Sequence, residues 1–592
     1  MHIPRARALR VLAAVFAVLA FGSSTSAPVA AQSGWLLKVD PLLQEPQQRP
    51  FGGRSRVLVR VANSSAAAPV QSLSQLLGGE VVRHLPVATS IAIDLPNAAL
   101  PLVAGSPLVL GVSLDRVVVG AMERTGATIG ATAVRQTLGY DGSGVGVAII
   151  DSGVAPAHDD LADPATGAQR VDAFVDLVNG QTSSYDDYGH GTHVAGIIGG
   201  TGFDSGGART DIAPGARLIV LKVLDDQGRG HISDVIAALD YVVANKNALN
   251  IRVVNLSVAT GVYESYESDP LTLAAKRAVD AGIVVVAAAG NNGRGPTGNT
   301  QYAGITAPGN APWVLTVGAS SHMGTVDRAD DTMAAFSSRG PGAIDYAAKP
   351  DLVAPGVGLE SLTDPASWLY TARSAYLLSG TVPTPYLPYL SLSGTSMAAP
   401  VVTGTVALML QANPSLTPNA VKAILQYTAQ EYPDYDALTQ GAGFVNAKGA
   451  VELARYLAAP TTTADPTAPE WSRHIIWGNY LESGGVLTLG VSAWPLGVTW
   501  GASTAPGGQP IVWGVKNDLP WQASGLGLAP NVVWATLCSG LDCLLPWNAQ
   551  TVFGTGQGEA DTVVWGTGEG EGETVVWGTS CTDPSCEPVI WN

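Results

Sequence analysis

The chain has 592 residues, more than one compact core accommodates, so several domains are expected. Apolar residues make up 46%, which argues against wholesale disorder, while charged residues are sparse at 13%. The net charge of −17, with no Lys/Arg-rich run, argues against nucleic acid and anionic membrane surfaces as partners. At the N-terminus, Arg5, Arg7 and Arg10 precede the apolar run from Val11 to Phe21. Small residues follow, with Val29-Ala30-Ala31 before Gln32, so residues 1–31 read as an export signal. The apolar run is too short to span a bilayer comfortably, and no later stretch of about 18 uninterrupted apolar residues exists. A soluble exported chain without a membrane span is expected.

Residues 32–120 read as a small α+β unit. Strands are predicted at Arg56–Val61, Val81-Val82, Ser90–Leu95 and Leu108–Val119, with helices at Pro69–Leu77 and Leu100–Ala104. That β-α-β-β-α-β order fits the split βαβ kind. From about residue 121 to 458, strand and helix alternate. Strands are predicted at Val145–Ile150, Arg217–Val223, Ile251–Val258, Ile283–Ala288 and Trp313–Val317. Helices are predicted at His193–Gly199, Ile232–Asn245, Pro270–Ala281, Ser396–Ala412 and Pro418–Thr428. Continuous apolar strands separated by helices imply an α/β domain with a parallel sheet buried on both faces. Ligands bind such sheets at the carboxyl ends of the strands, where Asp151, Ser257 and Asn291 fall. The Pro- and Tyr-containing stretch from Val357 to Leu392 reads as a long loop insertion near that rim.

Residues 459–470 are Pro/Thr-rich and read as a linker. A repeat follows over 471–592. Ile475-Ile476-Trp477-Gly478, Val498-Thr499-Trp500-Gly501 and Ile511-Val512-Trp513-Gly514 share one pattern with later copies, spaced by 12 at Phe553, Trp565 and Trp577. Short β-branched runs ending in Trp-Gly suggest a β-rich array. Its rings either form an aromatic binding surface or stack as the array's own core. Four cysteines, Cys538, Cys543, Cys581 and Cys586, suggest disulfides in an exported chain, with three pairings open and a thiolate metal site as the alternative.

Three stretches carry chemistry. The strand ending in Asp151 brings a carboxylate; Gly189-His190-Gly191-Thr192-His193 opens a small-residue helix with imidazoles; Gly394-Thr395-Ser396-Met397-Ala398-Ala399-Pro400 opens an apolar helix with a serine. A serine hydroxyl needs a base within hydrogen-bond reach, and imidazole titrates near the working pH. Spacing alone leaves His190 and His193 as rival bases, or as a His-x-x-His metal pair. Ser396 at a helix N-terminus lies among free N–H groups able to stabilise an oxyanion.

Together with Ala287-Ala288-Ala289-Gly290-Asn291-Asn292, these motifs resemble the subtilisin-like serine proteases over roughly residues 125–455. The order Asp, His, Ser is the one known for subtilisin. The resemblance implies a secreted endopeptidase with a subtilisin-like catalytic domain, made as a zymogen, acting on protein or peptide substrates. It assigns Asp151 as orienting acid, His190 as base, Ser396 as nucleophile and Asn291 as oxyanion donor. It makes residues 32–120 an inhibitory propeptide, cut between Asp115 and Gly130. Gly228, Arg229, Gly230 and Ser257 become the edges that pair with substrate, although Val258-Ala259 departs from the usual Leu-Gly. No cofactor is needed for the chemistry; a structural calcium is possible, because the position matching Asp160 can contribute to one. An α/β-hydrolase reading is disfavoured, since Gly394-x-Ser396-x-Ala398 lacks the second glycine of the nucleophile elbow. The remaining alternative is a non-catalytic adhesive protein using the C-terminal repeat.

Overall fold

The computed structural model describes residues 53–483 except 87–88, 116, 121–127, 164–165, 296–297, 324 and 460–465. Outside that span it describes 35, 38–39, 43, parts of 487–512, and the pairs 536–537 and 550–551. The expected export signal, the four cysteines and most Trp-Gly copies lie outside the described residues.

The N-terminal unit consists of β1 (Arg54–Val61), α1 (Ala67–Leu76), β2 (Glu80–Leu85), β3 (Ser90–Pro96), α2 (Leu100–Ala104) and β4 (Val109–Leu114). The strands form one antiparallel sheet in the order β2-β3-β1-β4. One face packs on the two helices through Val57, Val59, Ile91, Ile93, Val70, Leu100 and Val103. Leu58, Leu85 and Ala92 on the other face join the core of the following domain. The single strand expected over Leu108–Val119 is two. It breaks at Asp115, whose carboxylate accepts from Arg56 at 2.7 Å and from the Ser233 amide at 3.0 Å. Beyond this break, β5 (Val117–Gly120) leaves the small sheet altogether.

The α/β domain contains β6 (Gly146–Asp151), β7 (Val171–Asp176), α3 (His190–Gly199), β8 (Arg217–Lys222), β9 (Arg229–His231), α4 (Ile232–Asn245), β10 (Ile251–Leu256), β11 (Val258–Ala259), α5 (Pro270–Asp280), β12 (Val284–Ala288), β13 (Leu315–Ser321), β14 (Thr332–Met333) and β15 (Leu352–Pro355). Its sheet runs β14-β13-β12-β10-β6-β8-β7, with β15 also on β13; every pair is parallel except β13/β14. Burial on both faces follows from strand alternation. Val147 and Ile149 face one core, while Ala148 and Ile150 face the other, which holds α4 and α5.

The stretch expected to be a loop, residues 357–392, is folded. It contains β16 (Leu359–Leu362), α6 (Trp368–Ala372), β17 (Leu377–Leu378) and β18 (Tyr389–Leu392), with antiparallel order β16-β18-β17. Then come α7 (Thr395–Ala412), α8 (Pro418–Thr428) and α9 (Ala447–Ala458). By length and composition alone α7 is apolar enough to cross a bilayer, but it is 94% buried inside the protein as its central helix.

The first two Trp-Gly copies pack against α8. Trp477, Trp494 and Trp500 are buried, with ring centroids 4.7–6.4 Å apart. Asn419 donates to the carbonyls of Ala493 and Val498, both at 2.9 Å, and Gln426 Oε1 accepts from the Ile476 amide at 2.6 Å. In these copies the rings are core and present no aromatic binding face.

Candidate active site

Asp151 ends β6, Ser257 follows β10, and Asn291 lies three residues past β12. The parallel sheet therefore lines these three up along one edge, at its carboxyl ends. His190 and Ser396 come from the first turns of α3 and α7.

His190 Nδ1 lies 2.5 Å from Asp151 Oδ1, and both side chains are fully buried. The Ser152 amide donates to the same oxygen at 2.7 Å. The other histidine of the motif points elsewhere: His193 Nε2 lies 3.0 Å from the Leu390 carbonyl in β18. Thus the contact with Asp151 belongs to His190. The close approach of β6 and α3 depends on glycine. A Cβ on Gly191 would sit 2.1 Å from the Gly153 carbonyl oxygen.

The Ser396 hydroxyl donates to the Ser257 carbonyl at 3.1 Å. In return, Ser257 Oγ donates to the Ser396 carbonyl at 2.7 Å. Asn255 Nδ2 donates to Ser257 Oγ at 2.8 Å, and Thr403 Oγ1 donates to Asn255 Oδ1 at 2.9 Å. This chain of bonds locks the start of α7 onto the end of β10. Asn291 Oδ1 accepts from both the amide and the hydroxyl of Thr395 at 3.0 Å. Its amide nitrogen, the donor, is thereby turned away from Thr395. Thr395 and Ser396 are the first two residues of α7, where N–H groups lack partners inside the helix.

Sequence reasoning missed Asp186 and Lys222. Asp186 Oδ1 accepts from the Ser152 hydroxyl at 2.8 Å and the Gly189 amide at 2.7 Å. Its Oδ2 accepts from the Thr192 amide at 2.8 Å and hydroxyl at 2.7 Å. One buried carboxylate thus ties the Asp151 strand to the His190 helix. Lys222, paired with Asp187 at 2.5 Å, donates to the carbonyls of Ser152 and Leu224, each at 2.7 Å. The only sequence signal was the acidic run Asp186-Asp187 just ahead of Gly189-His190.

The expected binding edges lie around an extended strand of the same chain. β5 is the middle strand between β9 and β11, antiparallel to both. Val119 pairs with Arg229 and Ala259, Val118 with Gly230, and Gly120 with Val258. Gly228 and Ser257 flank these paired stretches.

His158, Asp160 and Asp204 offer buried ligand atoms within 4.8 Å of one another. Asp160 accepts from the Asp204 amide at 2.7 Å and the Tyr389 hydroxyl at 2.8 Å. Both carboxylate oxygens of Asp204 are buried without a hydrogen-bond partner. Burial, then the charges of Asp160 and Asp159, pushes its carboxyl up to about 6. Such a carboxylate facing another fits a cation. His158 fits less well: Nδ1 accepts the Asp160 amide at 3.2 Å, and imidazole is a poor ligand for calcium.

Residues 142–450 match the subtilase family (peptidase S8). The chain is 37% identical over 362 residues to the serine protease AprX of Bacillus subtilis, covering 60% of this chain and 77% of that one. It is 33% identical over 317 residues to subtilisin DY of Bacillus licheniformis, covering 54% and 94%. Among solved structures it is similar to fervidolysin from Fervidobacterium pennivorans, a keratinolytic enzyme related to subtilisin. The TM-score there is 0.52 at 22% identity, over 70% of this chain and 62% of that one, a likeness of fold.

Proposed function

The chain belongs to the subtilase family of serine endopeptidases, and from that premise we propose that it is a secreted peptidase made as a zymogen, with Ser396 as nucleophile, His190 as base, Asp151 as orienting acid and Asn291 as oxyanion donor. The observation that carries this reading is β5, an extended peptide seated between the edges β9 and β11, the latter adjoining Ser257, whose carbonyl accepts from the Ser396 hydroxyl. A cleft that takes one strand by backbone pairing takes others, whatever their side chains.

The chemistry follows from the contacts. Asp151 fixes the tautomer with the proton on Nδ1 of His190, leaving Nε2 to accept one, and it stabilises the imidazolium that results. Rotation about the Ser396 Cα–Cβ bond turns the hydroxyl from the Ser257 carbonyl towards Nε2. Ser396 Oγ then attacks the peptide carbonyl as its proton passes to His190. The oxyanion that develops is met by the Asn291 amide and the Ser396 N–H at the start of α7. His190 returns the proton to the leaving amine, and an acyl-enzyme remains. Water, activated by the same imidazole, hydrolyses it.

In this reading residues 1–31 direct export and residues 32–120 inhibit until cut between Asp115 and Gly130. The family needs no cofactor for catalysis. A structural calcium belongs to the proposal: Asp160 and Asp204 would hold it, and it would satisfy the unpartnered oxygens of Asp204 and take no part in a step. The partners are protein or peptide substrates and the chain's own N-terminal unit. The test is maturation of the full chain beside Ser396→Ala. Release of the N-terminal unit and cleavage of unfolded casein by the wild type alone are expected. An uncut wild type that spares casein, even after added protease removes the unit, would refute the reading.

A further inference from the structure

Two aromatic rings run outward from the catalytic histidine. Tyr188 lies two residues before His190 and stacks on it, with centroids 6.4 Å apart and planes at 29°. Trp368, the first residue of α6 in the 357–392 insertion, also stacks on Tyr188, at 5.8 Å and 15°. The backbones are joined as well: the Trp368 amide donates to the Asp187 carbonyl at 2.8 Å, and the Leu369 amide to that of Tyr188 at 3.0 Å. The insertion therefore braces the segment that delivers His190.

The Tyr188 ring also touches the peptide-binding edge. A Cβ on Gly228 would lie 2.4 Å from Tyr188 Cζ, so the backbone at Gly228 rests directly on the ring. Gly228 adjoins Arg229, which pairs with Val119 of the seated strand. Tyr188 thus fills the corner between the imidazole and the β9 edge. Burial, then the charge of Asp151, pushes its hydroxyl up to about 12, so the ring stays neutral.

The register identifies the peptide position at that corner. Gly120 pairs with Val258 in antiparallel fashion. One further step along a bound peptide faces Ser257, whose carbonyl holds the Ser396 hydroxyl. The position facing Ser257 lies nearest the Ser396 hydroxyl, and in the peptidase reading its carbonyl is the one attacked. The position facing Val258 is therefore its N-terminal neighbour, called P2. Its side chain points to the opposite face from that of the attacked residue. The chain's own occupant of this register is glycine.

We propose that Tyr188, backed by Trp368, walls off the P2 site and selects peptides with glycine or another small residue there, which makes the insertion a specificity element. The inference rests on the peptidase reading. Tyr188 is the residue that meets substrate, and Trp368 is a positioning residue acting through it.

The test is a fluorogenic peptide series differing only at P2 (Gly, Ala, Leu, Phe), with kcat/KM measured on the matured wild type, Tyr188→Ala, Trp368→Ala and Trp368→Phe. For the wild type, glycine and alanine are expected to exceed leucine and phenylalanine by about tenfold or more. Trp368→Ala should cut that ratio to within about threefold of parity and Trp368→Phe should restore it, because a ring again backs Tyr188. Loss of fold lowers all four substrates together and does not move the ratio. Turnover with a flat wild-type profile, or a ratio untouched by Trp368→Ala, would overturn the inference alone. No turnover of any peptide by the matured wild type would overturn the peptidase reading and this inference with it.

Discussion

Replacing Trp500 by alanine should loosen the whole catalytic body, although Trp500 belongs to the C-terminal repeat. The ring is 4% exposed, sits 4.7 Å from Trp477, and donates from Nε1 to the Ile476 carbonyl at 2.9 Å. The Lys422 ammonium on α8 lies 4.7 Å from its centroid. A tryptophan buries about 150–250 Å². At about 25 cal/mol per Å² that burial is worth about 4–6 kcal/mol, an upper bound because alanine keeps part of it. Measured Trp→Ala changes in cores run at about 3–5 kcal/mol. We therefore expect a loss of about 4 kcal/mol, and about 1–2 kcal/mol for Trp500→Phe, which keeps a ring but leaves the Ile476 carbonyl without its donor. At about 2 °C per kcal/mol for a large domain, alanine should lower the melting temperature by about 8 °C. Calorimetry at one scan rate, in a Ser396→Ala background that prevents self-digestion, reads this directly. A shift below about 2 °C would refute the reasoning, and these Trp-Gly copies would then be an appendage.

Asp186→Ala removes four hydrogen bonds that hold Ser152, Gly189 and Thr192, without touching substrate. The expected result in steady-state kinetics is a kcat about 100-fold lower with KM little changed, the cost of a misplaced imidazole. Lys422 shares the buried Asp351 with Lys349, each ammonium at 2.9 Å. Burial pushes Lys422 down to about 7. The unfolded chain keeps that proton to about 10.4, so between pH 7 and about 10.4 stability rises with pH, and the penalty is complete below 7. The melting temperature of the Ser396→Ala protein, less that of its Lys422→Met derivative, should therefore grow from pH 7 to pH 10. For Asp204 the sign is reversed. Its carboxyl is raised to about 6, so in EDTA stability falls as pH rises from about 4 to 6, and calcium at pH 7 restores it. Asp204→Asn should abolish both the pH effect and the calcium response in thermal melts.

Much of the site was legible in the sequence because its parts are short and local. A strand ends at Asp151, one helix opens at His190, three residues ahead of the start predicted at His193, and another opens at Thr395, one ahead of Ser396; apolar runs beside glycine mark all three. What escaped is non-local. Asp186 looks like any loop acid until folding brings Ser152 to it. The role of Tyr188 depends on α6, whose Trp368 is distant in sequence. β7 was missed because Val171–Asp176 carries two aspartates and is only half-buried at the sheet edge, where the apolar signal is weak. The insertion read as a loop because Pro383, Pro385 and Pro388 mask a strand that begins only at Tyr389. The run Leu108–Val119 looked like one strand because both halves are mostly apolar, and the break at Asp115 is set by its bonds to Arg56 and Ser233. Spacing left His190 and His193 as rivals; the resemblance assigns His190, and the contacts with Asp151 and Leu390 separate the two in the fold.

The central claim is that Ser396 is an activated nucleophile. Its most direct test is labelling of the matured protein with a fluorophosphonate, followed by peptide mapping, beside Ser396→Ala and His190→Ala. The account predicts one adduct, on Ser396, absent from the first variant and slowed by orders of magnitude in the second. Labelling at another residue, or none at Ser396 once the N-terminal unit has been removed, would contradict it.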